Sequence, residues 1–185
     1  MILYEENKLI IWIAIIAGVV ALDQVSKLLI VNFLDRNEPF VVIEGIFRFN
    51  YVENRGAAFG SFSDNRWVFM IISTVTIIAL LIYMWKFRPD SRLACTALSF
   101  IIGGGIGNMI DRIFLGYVVD FIDFYAFPNL WKWVFNVADS FVCIGAGMMI
   151  LWCIISMIDE GKKAKAEKTA SESSENADED GRNEK

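Results

Sequence analysis

Four apolar runs, at residues 9–31, 67–85, 93–110 and 134–158, decide what this chain can fold into. Each is close to the roughly 20 residues that carry a helix across a bilayer. Hydrocarbon offers no water to backbone polar groups, so each run is expected to be a helix that satisfies its own hydrogen bonds. Composition agrees, since 56% of the 185 residues are hydrophobic and mean hydropathy is +0.47, whereas a soluble domain is about 45–50% apolar. Lys8 ahead of the first run also suits a cleavable signal peptide, but apolar character resumes after Lys27, which favours an uncleaved helix. The expected architecture is one all-α membrane domain over residues 1–160. Its four transmembrane helices are joined by polar connections at 32–66 and 111–133 on one side and a short basic one between.

A bundle held together by packing alone has no use for the polar residues that interrupt these runs. Asp23 and Lys27 lie four apart within the first run and share a helical face. Asn108, Asp111 and Arg112 share another at the end of the third run, and Asn136, Asp139 and Ser140 a third at the start of the last. Ionisable groups at membrane depth are costly and mark function by default. Asn136 suits a helix cap, whereas Asp139 reads as too deep in its run for that. Gly103 and Gly107, four apart, allow close approach of another helix.

The first connection reads as a hairpin, FVVI then Glu44-Gly45 then IFRFNYV, with Phe47, Phe49 and Tyr51 alternating with Arg48, Asn50 and Val52. Asn54, Arg55 and Gly56 follow as a turn whose amide offers donor and acceptor together. In the second connection, VVDF read as strand turns Asp120 away from Val119 and Phe121. Asp123 lies three residues further on, and spacing alone leaves the choice between the two acids open. Trp67, Trp85, Trp131 and Trp133 suit headgroup depth.

Histidine is absent, which removes Ser-His and Cys-His nucleophiles and His-rich zinc sites. Cys95, Cys143 and Cys153 lie in apolar runs without metal spacing and read as buried small hydrophobes. No metal or cofactor is expected, and no basic face for nucleic acid. Acid–base work falls to carboxylates. Two of them in a site of low dielectric cannot both ionise, so a pair holds one proton and is able to activate water.

Lys86, Arg88 and Arg92 crowd the short middle connection, and Lys162, Lys163, Lys165 and Lys168 follow the last run. The excess of cations predicts cytoplasmic termini, with the hairpin and the acids outside. Residues 161–185 lack large apolar side chains and are expected to be a disordered charged tail.

In order along the chain, Asp23-Gln24-x-Ser26-Lys27, Asn54-Arg55-Gly56-Ala57-Ala58-Phe59, Gly107-Asn108-x-x-Asp111-Arg112, Val119-Asp120-Phe121 and Phe135-Asn136-x-Ala138-Asp139-Ser140 resemble the bacterial lipoprotein signal peptidases, or signal peptidase II. The resemblance covers nearly all of residues 9–158. It implies an aspartyl endopeptidase of the bacterial inner membrane that removes signal peptides from diacylglyceryl-modified prolipoproteins, cutting before the lipidated cysteine. It also implies a small extracytoplasmic β-sheet cradle, contact with membrane lipids and a monomer. The catalytic pair falls on Asp120 and Asp139. Asp23, Lys27, Asn54, Arg55, Gly107, Asn108, Asp111, Arg112, Asn136, Ala138 and Ser140 stand at the positions that support the pair or hold substrate. A proton-coupled transporter and a noncatalytic chaperone for lipidated peptides are the competing readings of intramembrane acids. The first predicts acids near the midplane and repeated spans, and neither is evident here.

Overall fold

The computed structural model describes residues 2–56, 66–87, 89–126 and 133–183. Element order is α1 (Ile2–Phe33), β1 (Phe40–Ile43), β2 (Phe47–Asn54), α2 (Arg66–Phe87), α3 (Arg92–Phe114), β3 (Val118–Phe124), β4 (Val134–Phe135) and α4 (Val137–Asn183). Among the described residues, four stretches are long and apolar enough to span a membrane: Leu9–Phe33, Trp67–Phe87, Arg92–Phe114 and Val137–Lys165. The expected fold class therefore holds, with longer helices than the apolar runs suggested. In particular α3 does not stop at residue 110. Asp111 and Arg112 lie inside it because both find partners there, and the helix ends where the Leu115 and Gly116 N–H groups close on Asp111 O.

The chain divides into two compact units, Met1–Met148 and Met149–Lys185. In the first, α3 is the central helix, and three successive glycines let three helices come close to it. A Cβ on Gly103 would stand 2.8 Å from Val19 Cβ of α1, one on Gly104 would strike Ala138 O of α4, and one on Gly105 would sit 3.2 Å from Ile77 of α2. Steps of about 100° per residue send consecutive positions to different neighbours. A Cβ on Gly107 would come within 2.5 Å of Asp23 Oδ2, so only glycine leaves the acid its place.

Burial is inverted relative to a soluble protein. Ile10, Leu22, Ile71, Ile78 and Ile144 are exposed, while Asp23, Lys27, Asp111, Asp120 and Asn136 are buried. Exposed apolar surface of this extent requires lipid around it. Cys95 is buried as expected, but Cys143 and Cys153 face outward. The reason is the same: in a bilayer a small apolar side chain gains nothing by facing inward.

The two polar connections meet in one antiparallel sheet of order β1-β2-β3-β4. The predicted hairpin is β1–β2, turning at Gly45 with φ +73°. Its simple alternation is not observed. Phe49 pairs with Ile122 but Val52 with Asp120, so β2 carries one extra residue against β3. Such a bulge reverses which face later residues occupy. Arg48 pairs across the ladder with Asp123 and bonds its Oδ2 at 2.7 Å, while Asn54 comes to the opposite face and reaches Asp120.

The second unit continues α4. Ile150, Leu151, Met157 and Ile158 are exposed apolar residues of the last span. Helix then runs on to Asn183 where a disordered tail was expected from residue 161. Lysine, alanine and glutamate, frequent in this stretch, are good helix formers and need no apolar face to favour the backbone. The Ala57-Ala58-Phe59 part of the resemblance and the Trp131 anchor lie outside the described residues.

Candidate active site

Asp23 is wholly buried on α1. Its Oδ2 lies 2.8 Å from Lys27 Nζ, and its Oδ1 accepts from the Ala138 N–H at 2.9 Å, tying α1 to the first turn of α4. Lys27 Nζ also stands 2.9 Å from Asp111 Oδ2 and donates to Asn108 Oδ1 at 3.1 Å. Asp111 in turn accepts from the Val119 N–H at 3.0 Å, which fixes β3 against α3 just before Asp120. Two carboxylates around one ammonium satisfy a charge that would otherwise be very costly to bury. Sequence reasoning left Gln24 out of the site. Its amide donates to Asp111 Oδ1 at 3.0 Å and Gly107 O at 3.2 Å; the signal was a neutral amide beside an acid within an apolar run.

Three asparagines hold the other two acids. Asn54 Nδ2 donates to Asp120 Oδ2 at 2.8 Å, and Asn136 Nδ2 to Asp120 Oδ1 at 2.7 Å. Asn108 Nδ2 donates to Asp139 Oδ1 at 2.7 Å, and the Asn136 N–H to Asp139 Oδ2 at 3.2 Å. Asn136 Nδ2 also reaches Asn108 Oδ1 at 2.9 Å, so the two acids hang on one amide network. Contrary to the sequence expectation, Asp139 does take part in capping. It accepts from the Asn136 N–H while Asn136 Oδ1 accepts from the Asp139 N–H at 2.8 Å, the reciprocal arrangement of a capping box. The box aims the acid at the site because it fixes the first turn.

Asp120 and Asp123 are separated by their environment. Asp123 is spent on Arg48 and on Asn50, whose Nδ2 lies 3.2 Å away, and Arg48 also lies over the Tyr125 ring. Asp120 meets only amides. Burial first, then the facing charge of Asp139, pushes its carboxyl up to about 7 despite the bonds from Asn54 and Asn136. Counting Asp23, Asp111, Asp120 and Asp139 against Lys27 and Arg112, acids outnumber bases, and a proton kept by Asp120 relieves the excess.

Arg112 donates to Asn108 O at 3.3 Å and lines a groove beside Asp139. Ser140 closes the first turn of α4 on Asn136 O at 3.0 Å. Arg55 is turned away from the cluster. It is exposed, pairs with Glu53 at 2.7 Å, and lies over the Tyr117 ring; its hydrogen bond holds Glu53 below the usual carboxylate range.

Four membrane-length helices around a buried carboxylate–amide cluster, closed by a small sheet, define a polytopic membrane protein with an acid–base site. The chain matches the signal peptidase (SPase) II family over residues 15–155 and belongs to it, which makes it a membrane protease. Relatives include the lipoprotein signal peptidase of Halalkalibacterium halodurans, 40% identical over 152 residues, 82% of this chain and 94% of the relative. That of Caldanaerobacter subterraneus subsp. tengcongensis is 49% identical over 134 residues, 72% of this chain and 89% of its own. A bacterial membrane enzyme solved by the in meso method at 2.3 Å is similar in fold, with TM-score 0.72 and 34% identity over 79% of this chain and 88% of that one.

Proposed function

We propose that this chain removes signal peptides from diacylglyceryl-modified prolipoproteins, cutting on the N-terminal side of the lipidated cysteine, with Asp120 and Asp139 as the pair that activates water. The observation that carries the reading is that Asp120 and Asp139, from a strand and a helix, are bridged by Asn136; burial and the facing charge of Asp139 push the Asp120 carboxyl up to about 7. Asp139, held by two N–H donors, takes a proton from water as the oxygen attacks the scissile carbonyl carbon. Asp120 gives its proton to the carbonyl oxygen. In the tetrahedral species the C–N bond then breaks, with the proton on Asp139 passing to the departing amine and the hydroxyl proton returning to Asp120. Atoms balance as peptide plus water to acid plus amine.

The relatives named lipoprotein signal peptidases support a prolipoprotein substrate, and the surroundings suit one. Acyl chains on the cysteine remain in the outer leaflet while the peptide enters at the sheet. The termini are cytoplasmic and the acids face the extracytoplasmic side of the inner membrane, as the loop charges suggest. A monomer suffices for this chemistry, since the acids of the cluster all come from one chain.

Purified protein in detergent should cleave a diacylglyceryl-modified prolipoprotein, and Asp120→Asn and Asp139→Asn should each abolish cleavage while keeping the melting temperature. Full activity in either variant would reject the pair.

A further inference from the structure

A peptide bond reaches the acid pair only if the chain around it is extended, and extension releases main-chain N–H and C=O groups from helical bonding. Within hydrocarbon these groups find no water, and each left unpaired is costly. A protease that cuts at the end of a membrane-inserted segment therefore has to offer partners below its acids.

A groove of about 290 Å³ opens from Asp139 and Arg112 between α2, α3 and α4. Its wall is mostly apolar, as Ile77 and Leu80 illustrate, but Ser73 and Thr76 stand in it one turn apart on α2. Neither hydroxyl has a hydrogen-bond partner among the described residues. On α3 the hydroxyls return to their own helix, Thr96 to Arg92 O at 2.9 Å and Ser99 to Cys95 O at 2.8 Å. With α2 counted from Trp67, Ser73 lies about 9 Å along the helix at 1.5 Å per residue.

Resting on the function proposed above, we infer that Ser73 and Thr76 bind the main chain of the signal-peptide residues just before the scissile bond, seated extended in this groove. An acyl chain is the other apolar occupant of suitable size, but it gains nothing from two free hydroxyls. The direction also fits. A signal peptide approaches its cleavage site from within the membrane, and the groove runs inward from Asp139. Gly105 keeps the passage open, since a side chain there would meet Ile77.

The test is steady-state cleavage of a diacylglyceryl-modified prolipoprotein by the full chain in nanodiscs. Loss of two neutral hydrogen bonds predicts about a tenfold higher KM for the double variant Ser73→Ala/Thr76→Val. Because the contact is made equally in ground and transition states, kcat stays unchanged. Ser73→Thr/Thr76→Ser, which keeps both hydroxyls, restores KM. Wild-type kinetics in the alanine–valine variant, a fall in kcat at constant KM, or failure of the hydroxyl-keeping variant to restore KM would each overturn the inference. In all three cases an inactive Asp139→Asn leaves the protease reading standing, whereas an active one removes that reading and this inference with it.

Discussion

Asn136 and Asp139 hold each other at the start of α4: the amide oxygen of the first accepts the N–H of the second at 2.8 Å, and the carboxylate of the second accepts the N–H of the first at 3.2 Å. The same Asn136 spends its amide hydrogens on Asp120 and Asn108. One residue thus begins a helix and sets the distance between two acids. Asn136→Ala should cost about 1 kcal/mol of stability as a lost cap. It should also lower kcat about 10²-fold, the usual cost of removing a donor that orders a reacting group. Melting and single-turnover cleavage measured together check this; a stability loss with full activity would show that Asn136 only caps.

Protonation of Asp120 sets a pH limit. Its carboxyl is raised from 3.8 to about 7 by burial and by Asp139, so the folded state holds a proton that the unfolded state has lost across that window. Stability from this group is therefore greatest at low pH and declines as pH rises through the window to about 7. If Asp120 is the acid, kcat falls above pH 7 with it. A pH series of cleavage rates and urea midpoints from pH 5 to 9 measures both. Asp120→Asn should flatten the stability slope, and an unchanged slope would contradict the assignment.

Much of this was legible in the sequence because a membrane protein writes its exceptions plainly. Polar residues inside apolar runs, Asp23, Lys27, Asn108, Asp111, Arg112, Asn136 and Asp139, all take part in one network, since hydrocarbon leaves such groups only each other as partners. Arg55 stands apart from that network because an exposed loop cation beside an asparagine has solvent and Glu53 as alternatives. Gln24 was passed over because a neutral amide carries no charge to flag it. The end of α3 was set too early because Asp111 and Arg112 look like a surface turn until their buried partners are known. Asp120 and Asp123 were inseparable by spacing, since what divides them is cross-strand register, a property of pairing with β2.

Lys27 holds a charge balance that α1 alone does not reveal. Its ammonium serves Asp23 and Asp111 at 2.8 and 2.9 Å with almost no exposure. Lys27→Met removes the cation and leaves two buried carboxylates facing each other. Breaking a buried pair in this way costs about 3–5 kcal/mol, enough to remove most folded protein. Adding Asp111→Asn should recover part of the loss because one stranded charge goes with it. Detergent-solubilised yield and melting temperature check the order wild type, double variant, single variant; a single variant as stable as wild type would mean the acids are neutral without Lys27.

The extra residue in β2 makes the sharpest prediction, because it separates position from composition. Between Phe49 and Val52 the ladder slips by one against β3, and only beyond the slip does Asn54 share a face with Asp120. Deleting Asn50 takes the extra residue out: Arg48 and Asn54 are then five positions apart instead of six, so in a regular ladder they stay on opposite faces and Asn54 keeps its register beside Asp120. Arg48 and Asp123 lie before the slip and should keep their pairing at 2.7 Å. The deletion should then keep cleavage close to that of the wild type, with the sheet still formed. Adding Asn54→Ala to the deletion should cost about 10²-fold, as it does alone, for the loss of one donor, because changes at independent contacts add. Rates for the deletion, the point variant and the combination decide it. If the deletion alone lost about as much activity as Asn54→Ala, or if the combination lost nothing further, the regular register would not be what holds Asn54 at the acid.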